Sequence, residues 1–480
     1  MIEPAVPAPG PGRWVRETTH QVRPYGTFYK AVFMPSFQSG MRRAFREYGV
    51  LLDRIEMREV RGWMYGRPRP VAAPEEPGKP PPRALFALLL LAHPELRRRR
   101  RAARRALVDR PWMEDARRWD AGLRDRFADR ARELRWVVPA NLGDEMLRQH
   151  LGAVLDFLRE GLDVHFHHTV GHMVAVGDWA ARTAEWTGVP PAVAVGALRG
   201  SSPWSLRPVE TLDRLVDAVR SEPAAQQVLS GARPPARVLA ALGTSSTEVA
   251  AALQAHLDEH GDDIVTGFQL DDRCLREIPS TLVAALRARL ARAWPAPAAD
   301  GDDRALALRA RIPAAARPEY DRLLEEARLL YGLRDDDGRL TCARPFGLAR
   351  RALLAAGERL RARGRLQEVD DIFQAGPEEV DGLLAGSESP AAEELGRRSR
   401  ERMAQALDAP PEVLGDPEFS PPTEWLPPAC ARVNSAVMLA LELADTPRGA
   451  SGKSESRVEL RGLPASGGCY EGIARIVCQP

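Results

Sequence analysis

The chain has 480 residues, of which 68 are basic and 66 acidic, and 44% are hydrophobic. This length predicts about two to four domains, and the near balance of charge argues against a general binder of nucleic acids or membrane surfaces. The five cysteines are scattered without CxxC spacing, which argues against a disulfide framework or a cysteine zinc site.

The N-terminal segment predicts no export signal. Residues 1–12 are rich in proline and glycine and lack both a basic start and an apolar core. The longest apolar run, residues 84–92, is too short to span a bilayer. We therefore expect a cytoplasmic protein without membrane contacts, whose residues 1–13 form a disordered tail.

A small mixed region follows the tail. Residues 14–70 combine aromatics with short apolar stretches, and residues 54–60 alternate as a strand does. Residues 71–82 contain five prolines and predict a linker or long loop. We interpret 14–70 as the N-terminal part of the central domain.

The body of the chain, residues 83–408, predicts a multi-helix domain. Apolar residues recur there at three- and four-residue spacing, and Pro- and Gly-rich breaks separate the periodic segments. The predicted helices cover residues 147–160, 209–219, 249–259, 280–294, 319–330 and 348–363. Proline clusters predict a linker over 409–458. Strand-like alternation near the C-terminus predicts an incomplete β segment over 459–480. The predicted fold class is mainly α.

Three histidines form the sharpest local feature. His165, His168 and His172 are spaced i, i+3 and i+7, so a helix places them within about 60° of one face, with Trp179 on that face and His167 pointing elsewhere. Imidazoles at i and i+4 can share a zinc ion, although three ligands from one straight helix rarely converge on one metal. A substrate pocket that uses imidazoles for proton transfer, and purely structural histidines, are the other interpretations.

Three weaker motifs favour ordinary structural interpretations. Residues 452–454 read Gly-Lys-Ser, but Pro447 stands where a P-loop needs glycine. The arginine run at 97–101 lacks interleaved aromatics, so we expect a solvated helix face whose charge is offset by acidic residues of 114–134. His256 and His260 predict an exposed helix that ends at Gly261.

The C-terminal residues carry the first part of a resemblance to a known family. Small residues from Gly462 to Gly468, including Ser466, make a turn, and a strand-like alternation begins at Gly472. This stretch resembles the start of the swivelling phosphohistidine domain of phosphoenolpyruvate-utilising enzymes. Further similar segments occur in the family's order, at residues 14–24, 48–49, 62–65, 198–203, 331–335, 353–366, 370–373 and 378–384.

The resemblance is to the central domain of rifampicin-phosphotransferase-like and phosphoenolpyruvate-synthase-like proteins. It implies that an ATP-grasp domain uses ATP and Mg²⁺ to make phosphohistidine, which then phosphorylates a small-molecule acceptor. No histidine lies beyond His260 in this sequence, and no ATP-grasp segment is recognised. We therefore expect no catalytic phosphohistidine and no cofactor bound by this chain alone.

The resemblance implies an acceptor-binding component or fragment that works with a separate ATP-grasp domain or subunit. The alternatives are a non-catalytic small-molecule binding module of the same origin and, as a minority interpretation, a histidine metalloenzyme. The candidate acceptor-binding residues are His165, His168, His172, Trp179 and Arg351, and no metal site is assigned. Neither nucleic acid nor membrane is an expected partner.

Overall fold

The structure is a computed structural model that describes residues 6–76, 81–200, 207–291, 301–419 and 421–445. It contains one small antiparallel sheet of order β2-β3-β1-β4. The strands are β1 (Trp14–Arg16), β2 (Leu52–Val60), β3 (Trp63–Pro70) and β4 (Val413–Leu414). In the register of the sheet, Val15 of β1 lies opposite Gly66 of β3 and Val413 of β4.

Helices form most of the described chain. They are α1 (Thr27–Tyr48), α2 (Arg83–Ala92), α3 (Pro94–Asp109), α4 (Pro111–Arg118), α5 (Arg124–Trp136), α6 (Asp144–Thr187), α7 (Pro191–Ala194), α8 (Arg207–Ser221), α9 (Pro223–Ser230), α10 (Pro235–Leu242), α11 (Thr247–His260), α12 (Pro279–Leu290), α13 (Gly301–Arg311), α14 (Arg317–Asp337), α15 (Arg344–Ala362), α16 (Pro377–Leu384), α17 (Ala392–Leu407) and α18 (Pro428–Asp445). Short 3₁₀ turns lie at Pro139–Asn141, Val195–Leu198, Leu275–Glu277, Ala314–Ala316, Val369–Gln374 and Thr423–Trp425. Two π-helical turns, Trp119–Leu123 and Gly338–Ala343, join α4 to α5 and α14 to α15.

The hairpin between β2 and β3 turns at two residues with positive φ. Arg61 has φ 49° and Gly62 has φ 80°, as a type I′ turn requires. Glycine adopts this conformation freely, whereas an arginine is strained by its Cβ. The hairpin supports a small core of Trp14, Trp63, Tyr65 and Leu414.

Helix α6 is the central element of the fold. It has 44 residues, and α1, α14, α15 and α18 all pack against it. Two glycines allow neighbouring backbones to come close, because a Cβ at Gly161 would lie 2.2 Å from the Thr341 carbonyl oxygen and one at Gly177 would lie 2.0 Å from that of Ala436. The main hydrophobic core surrounds the N-terminal two thirds of α6, and a second core surrounds Trp179 near its C-terminal end.

Helices α8 to α12 enclose a separate small core. Its buried members include Leu215, Val219, Leu242, Val249 and Leu286. Polar contacts connect this unit to the body, among them the ion pair of Arg344 with Asp263 at 3.0 Å. The unit therefore has its own apolar interior but shares a charged boundary with the rest.

The predicted mainly α class is confirmed, and each of the six predicted helices lies in or overlaps an observed one. The segment 409–458, expected to be a linker, instead contains β4 and α18. Residues Cys430, Val433 and Val437 are spaced at about one turn and are buried against the body, so this stretch has the apolar face of a packed helix.

The proline-rich N-terminal segment also differs from expectation. Residues 6–12 were expected to be disordered, but Val6 and Ala8 pack beside the sheet, and the Gly10 carbonyl accepts a hydrogen bond from the Trp14 indole at 3.1 Å. The predicted C-terminal β segment lies outside the described residues. Among the helices that are described, none combines the length and apolar character needed to cross a membrane.

Candidate functional site

Helix α6 presents His165, His168 and His172 toward the C-terminal end of α14. The Nδ1 atom of His165 lies 2.9 Å from Asp337 Oδ2, and that of His168 lies 3.3 Å from Asp337 Oδ1. A single carboxylate therefore contacts two imidazoles one helical turn apart. Because an ionised carboxylate only accepts hydrogen bonds, both Nδ1 atoms carry their protons toward Asp337 and both Nε2 atoms point away from it.

The π-helical turn that follows α14 supports Asp337. Thr341 lies in this turn, and its hydroxyl donates to the Asp337 carbonyl at 2.6 Å and to the carboxylate at 3.3 Å. The absence of a side chain at Gly161 lets the Thr341 backbone approach α6. A π-helical turn is wider than an α-helical one and is frequent at functional sites.

Burial and hydrogen bonding act in opposite directions on this carboxylate. Burial alone would raise the pKa of Asp337, but the hydrogen bonds and charges of His165 and His168 outweigh it and hold the pKa well below the ordinary value. Burial likewise opposes the charge on His165, yet Cys342 and Asp337 together raise the pKa of this imidazole well above 6.5. His165 and Asp337 thus form a charged pair at neutral pH.

His172 is in a different state from His165. Burial, reinforced by the charge of Arg334, lowers the pKa of His172 to about 3, so the ring is neutral at physiological pH. Its Nδ1 lies 3.1 Å from the Leu330 carbonyl oxygen and must therefore donate to it. The Nε2 atom of His172 is consequently an unprotonated acceptor.

A small cavity lies between these groups. It has a volume of about 10 Å³ and is lined by His168, Thr169, His172, Leu330, Leu333, Arg334 and Asp337. A polar cavity of this size has room for about one water molecule or one hydroxyl group. The half-buried Arg334 side chain has no ion-pair or hydrogen-bond partner among the residues that the structure describes.

The other two candidate residues do not line this cavity. Trp179 is fully buried in the second core of α6, with Val176 and Leu323, and its indole nitrogen has no hydrogen-bond partner in the described part of the chain. Arg351 donates to the carbonyls of Arg135 at 3.0 Å and Val137 at 2.5 Å. It therefore caps the C-terminal end of α5, where carbonyl groups lack helical partners.

A larger cavity of about 340 Å³ lies elsewhere, between α5 and the first turns of α6. Its lining is mainly apolar and includes Leu134, Val137, Met146 and His150, but none of the three site histidines. Its size falls within the range of small-molecule pockets. Its charged lining residues, Arg130 and Glu133, pair with each other at 2.8 Å.

The remaining histidine predictions have mixed outcomes. His167 points away from the cluster as expected, and its Nε2 lies 3.1 Å from Asp115, which also accepts a hydrogen bond from Tyr48. Helix α11 ends at His260 and is capped by Gly261, where the sequence predicted its end, but His256 and His260 are buried rather than exposed. They face polar groups of the fold, since His256 contacts the Thr211 hydroxyl and His260 contacts Asp263.

No group of three or more His, Cys, Asp and Glu side chains is placed to hold a metal ion within the ranges that the structure describes. At the histidine cluster the geometry explains this, because the Nδ1 atoms of His165 and His168 are directed to the same carboxylate. The metalloenzyme interpretation therefore gains no support from these residues. The turn residues Gly462, Ser466, Gly468 and Gly472 lie outside the described part of the chain.

Sequence reasoning missed Asp337 and Arg334. Both belong to the run 334–337, Arg-Asp-Asp-Asp, which reads as a charged and exposed helix end. Periodicity gave one signal, because it places Leu330, Leu333 and Asp337 on one helix face and so marks an acidic residue on an apolar face. Periodicity cannot identify which residue of another helix such a carboxylate contacts. Asp337 lies 172 residues from His165 in the chain.

Residues 165–335 match the family model of the rifampicin phosphotransferase fourth domain. The match supports a rifampicin-phosphotransferase-like, phosphoenolpyruvate-utilising family and confirms the resemblance predicted from the sequence. It begins at His165 and includes the whole histidine cluster and Arg334, while Asp337 follows two residues beyond it. No match was found among curated proteins.

Proposed function

We propose that this chain, as a rifampicin-phosphotransferase-like protein, binds the small-molecule acceptor of a phosphotransferase at the cavity beside His168 and His172. The observation that carries the proposal is the shared carboxylate of Asp337, which orients His165 and His168 next to Arg334, an arginine that has no ion-pair partner among the described residues. Positioned imidazoles and a free cation are the groups that phosphoryl transfer to a hydroxyl requires.

The proposed reaction moves a phosphoryl group from a phosphohistidine to the acceptor. The P–N bond breaks and its electron pair stays on the carrier imidazole, while the acceptor oxygen forms the new P–O bond. The hydroxyl proton passes to Nε2 of His168, whose Nδ1 hydrogen is fixed by Asp337. This arrangement of carboxylate, imidazole and hydroxyl makes His168 the general base.

The two neighbouring histidines have other roles in this proposal. His165 is already protonated at neutral pH, so it contributes positive charge rather than accepting the proton. His172 is neutral, and its Nε2 can accept a hydrogen bond that positions the hydroxyl. Arg334 stabilises the negative charge on the transferring phosphoryl oxygens.

The size of the cavity limits how the acceptor binds. About 10 Å³ accommodates one hydroxyl group and no ring. The proposed acceptor therefore inserts one hydroxyl between His168, His172 and Arg334, while the rest of the molecule lies outside. The name of the matching family suggests rifampicin as a first acceptor to test.

The other requirements of the reaction are assigned to partners. An ATP-grasp domain or subunit, with ATP and Mg²⁺, would make the phosphohistidine, and a swivelling domain would carry it. Those assignments come from the family resemblance and not from residues of this cavity. The proposal for this chain concerns acceptor binding and proton removal.

Phosphotransfer from a separately prepared phosphohistidine carrier tests the proposal. The carrier would be the swivelling domain of a rifampicin phosphotransferase, labelled with ³²P, and the acceptor would be rifampicin. We expect His168→Gln to lower kcat by about 10²-fold or more with little change in KM, and Arg334→Gln to lower kcat by about 10-fold or more. His20→Gln, at an exposed position outside the lining of this cavity, is the matched control.

Rifampicin binding measured by calorimetry separates the outcomes. Binding without transfer in the wild type would favour the non-catalytic binding module. Unchanged transfer in both His168→Gln and Arg334→Gln would contradict the assigned site. Loss of binding in Met146→Gln but not in Arg334→Gln would place the acceptor in the larger cavity instead.

A further inference from the structure

Helix α2 exposes an unusually apolar surface. Leu85, Leu88, Leu89 and Leu91 are 47%, 57%, 39% and 58% exposed, and Leu90 is the only fully buried leucine of this helix. The first three are spaced i, i+3 and i+4, so the exposed leucines cover about 160° of one side of the helix. Contiguous apolar surface of this kind on a folded protein marks an interaction site.

The helix is held on its opposite side. Leu90 is buried, Phe86 packs against Trp425 at a ring distance of 5.9 Å, and α3 lies against α2. The leucine surface is therefore the outward side of an anchored helix. Anchors at i, i+3 and i+4 are how a helix occupies an apolar groove of another protein.

Exposed basic residues lie on α3, which packs against α2. Helix α3 begins two residues after α2 ends and exposes Arg97, Arg98, Arg101, Arg104 and Arg105. Four of them, all except Arg98, have no ion-pair partner among the described residues. Within the described chain no ion pair joins an acidic residue of 114–134 to this run; Glu114 pairs instead with Arg117 and Arg118, and Asp125 with Arg124.

The positive charge of α3 helps to decide which kind of molecule binds the leucine surface of α2. In a symmetric dimer formed through α2, the arginine faces of two copies would approach each other, which disfavours self-association. The chain's own residues 446–480 are also unsuitable, because they carry more basic than acidic residues: Arg448, Lys453, Arg457, Arg461 and Arg475 against Glu455, Glu459 and Glu471. We therefore expect the binding partner of this surface to be acidic.

We propose that α2 and the exposed arginines of α3 form a docking surface for a protein that presents an apolar groove bordered by carboxylates. The leucines enter the groove, and the guanidinium groups bind the carboxylates, a pairing for which arginine geometry is suited. A bilayer is a poorer fit, because a helix at a lipid interface carries its own charged face, whereas the second face of α2 is packed against the protein. This surface is separate from the histidine cavity, and the inference does not depend on the function proposed for that cavity.

Calcium-loaded calmodulin serves as the probe, since it offers an apolar groove on an acidic protein and closes the groove when calcium is removed. Binding of the full chain would be followed by fluorescence anisotropy of labelled calmodulin. We expect calcium-dependent binding that weakens as salt increases. Leu88→Ser/Leu89→Ser and Arg101→Gln/Arg104→Gln should each weaken it about tenfold or more.

Matched control variants test whether calmodulin binding depends on the leucines and arginines of α2 and α3 in particular. Leu407→Ser, at a leucine of α17 that is 91% exposed, and Arg397→Gln/Arg400→Gln on the same helix should leave calmodulin binding unchanged. Circular dichroism would verify that every variant keeps the helical content of the wild type. Equal weakening by the α17 variants would contradict the proposal.

Two further measurements test whether the leucine surface instead binds a second copy of the chain or a lipid bilayer. Sedimentation velocity would detect self-association, and flotation with vesicles containing phosphatidylglycerol would detect lipid binding. Self-association or lipid binding that disappears in Leu88→Ser/Leu89→Ser would overturn the proposal of an acidic protein partner. Absence of any calcium-dependent calmodulin binding by the wild type would also overturn it.

Discussion

At the scale of single residues, Asp337 decides the chemical state of the histidine cluster. One buried carboxylate fixes the hydrogen positions on two imidazoles and keeps His165 charged. A few residues away on α6, His172 stays neutral because burial, reinforced by the nearby charge of Arg334, lowers its pKa to about 3. Two histidines on one helix face thus differ in charge, His165 being protonated and His172 neutral, because their surroundings differ.

Asp337→Asn should destabilise the protein by about 2–4 kcal/mol near pH 6, because it leaves the charged His165 without its carboxylate partner. The raised pKa of His165 stabilises the fold fully below pH 6.5, and this contribution is lost as pH rises through its folded value. The lowered pKa of Asp337 stabilises it above about pH 4, and that contribution is lost on further acidification. Urea denaturation across pH should show the largest difference between about pH 4 and 6.5. A difference independent of pH would contradict this assignment.

His172→Asn should reduce the loss of stability on acidification. The folded pKa of about 3 lies below the unfolded value of 6.5, so the unfolded chain binds the extra proton between these values and stability falls as pH falls from 6.5 to 3. The total effect over this pH range is on the order of 5 kcal/mol. Denaturant titrations at pH 7 and pH 4 should give a smaller decrease for the variant than for the wild type. His256, with its pKa lowered to about 4, stays unchanged in both proteins.

At the scale of elements, turns and close helix contacts determine where the groups of the site lie. The hairpin at Arg61 and Gly62 shows sequence and conformation in mild conflict, because an arginine occupies a turn position with positive φ, which asparagine tolerates better. The contact of Gly161 with Thr341 shows the opposite case, in which the absence of a side chain is what the packing needs. Both positions permit sharp tests.

Arg61→Asn should stabilise the protein by about 0.5–1 kcal/mol, since asparagine tolerates the positive φ that arginine resists. The lost ion pair with Asp408, at 3.4 Å between exposed side chains, contributes little. Thermal unfolding followed by circular dichroism should show a higher Tm. A lower Tm for Arg61→Asn, with Arg61→Gly as comparison, would contradict the assignment of a type I′ turn.

Gly161→Ala should destabilise the protein by about 1–3 kcal/mol and disturb the site, because the added methyl group would overlap the Thr341 carbonyl. Gly152→Ala is the matched control on the same helix, since a Cβ there meets nothing within 4 Å. Chemical denaturation of both variants measures the difference. The Asp337 side chain follows the turn, so nuclear magnetic resonance of the His165 ring should report a shifted pKa in Gly161→Ala only.

At the scale of the whole molecule, the described chain is organised around α6, with a second core inside α8 to α12. The smaller unit buries fewer side chains and meets the body through ion pairs such as Arg344 with Asp263. Amides of α8 to α12 should therefore exchange with solvent faster than those in the middle of α6. Hydrogen–deuterium exchange by mass spectrometry measures this, and equal protection of both regions would show a single cooperative unit.

The sequence by itself determined the helical class, most helix positions and the common face of His165, His168 and His172, because these depend on local periodicity. It also indicated the family, which the match over residues 165–335 supports. The linker expected over 409–458 was wrong at α18, because proline clusters around it obscured an apolar face that packs on α6.

Only the tertiary structure decided which candidates meet. Asp337 reaches the histidines, Arg351 caps α5 and Trp179 fills a core, and each outcome depends on contacts between segments more than 100 residues apart or on burial that no local pattern encodes. The same holds for protonation, because neighbours and burial set the pKa values of His165 and His172 in opposite directions. Local sequence placed the imidazoles on one face, and long-range packing gave each of them its charge and partner.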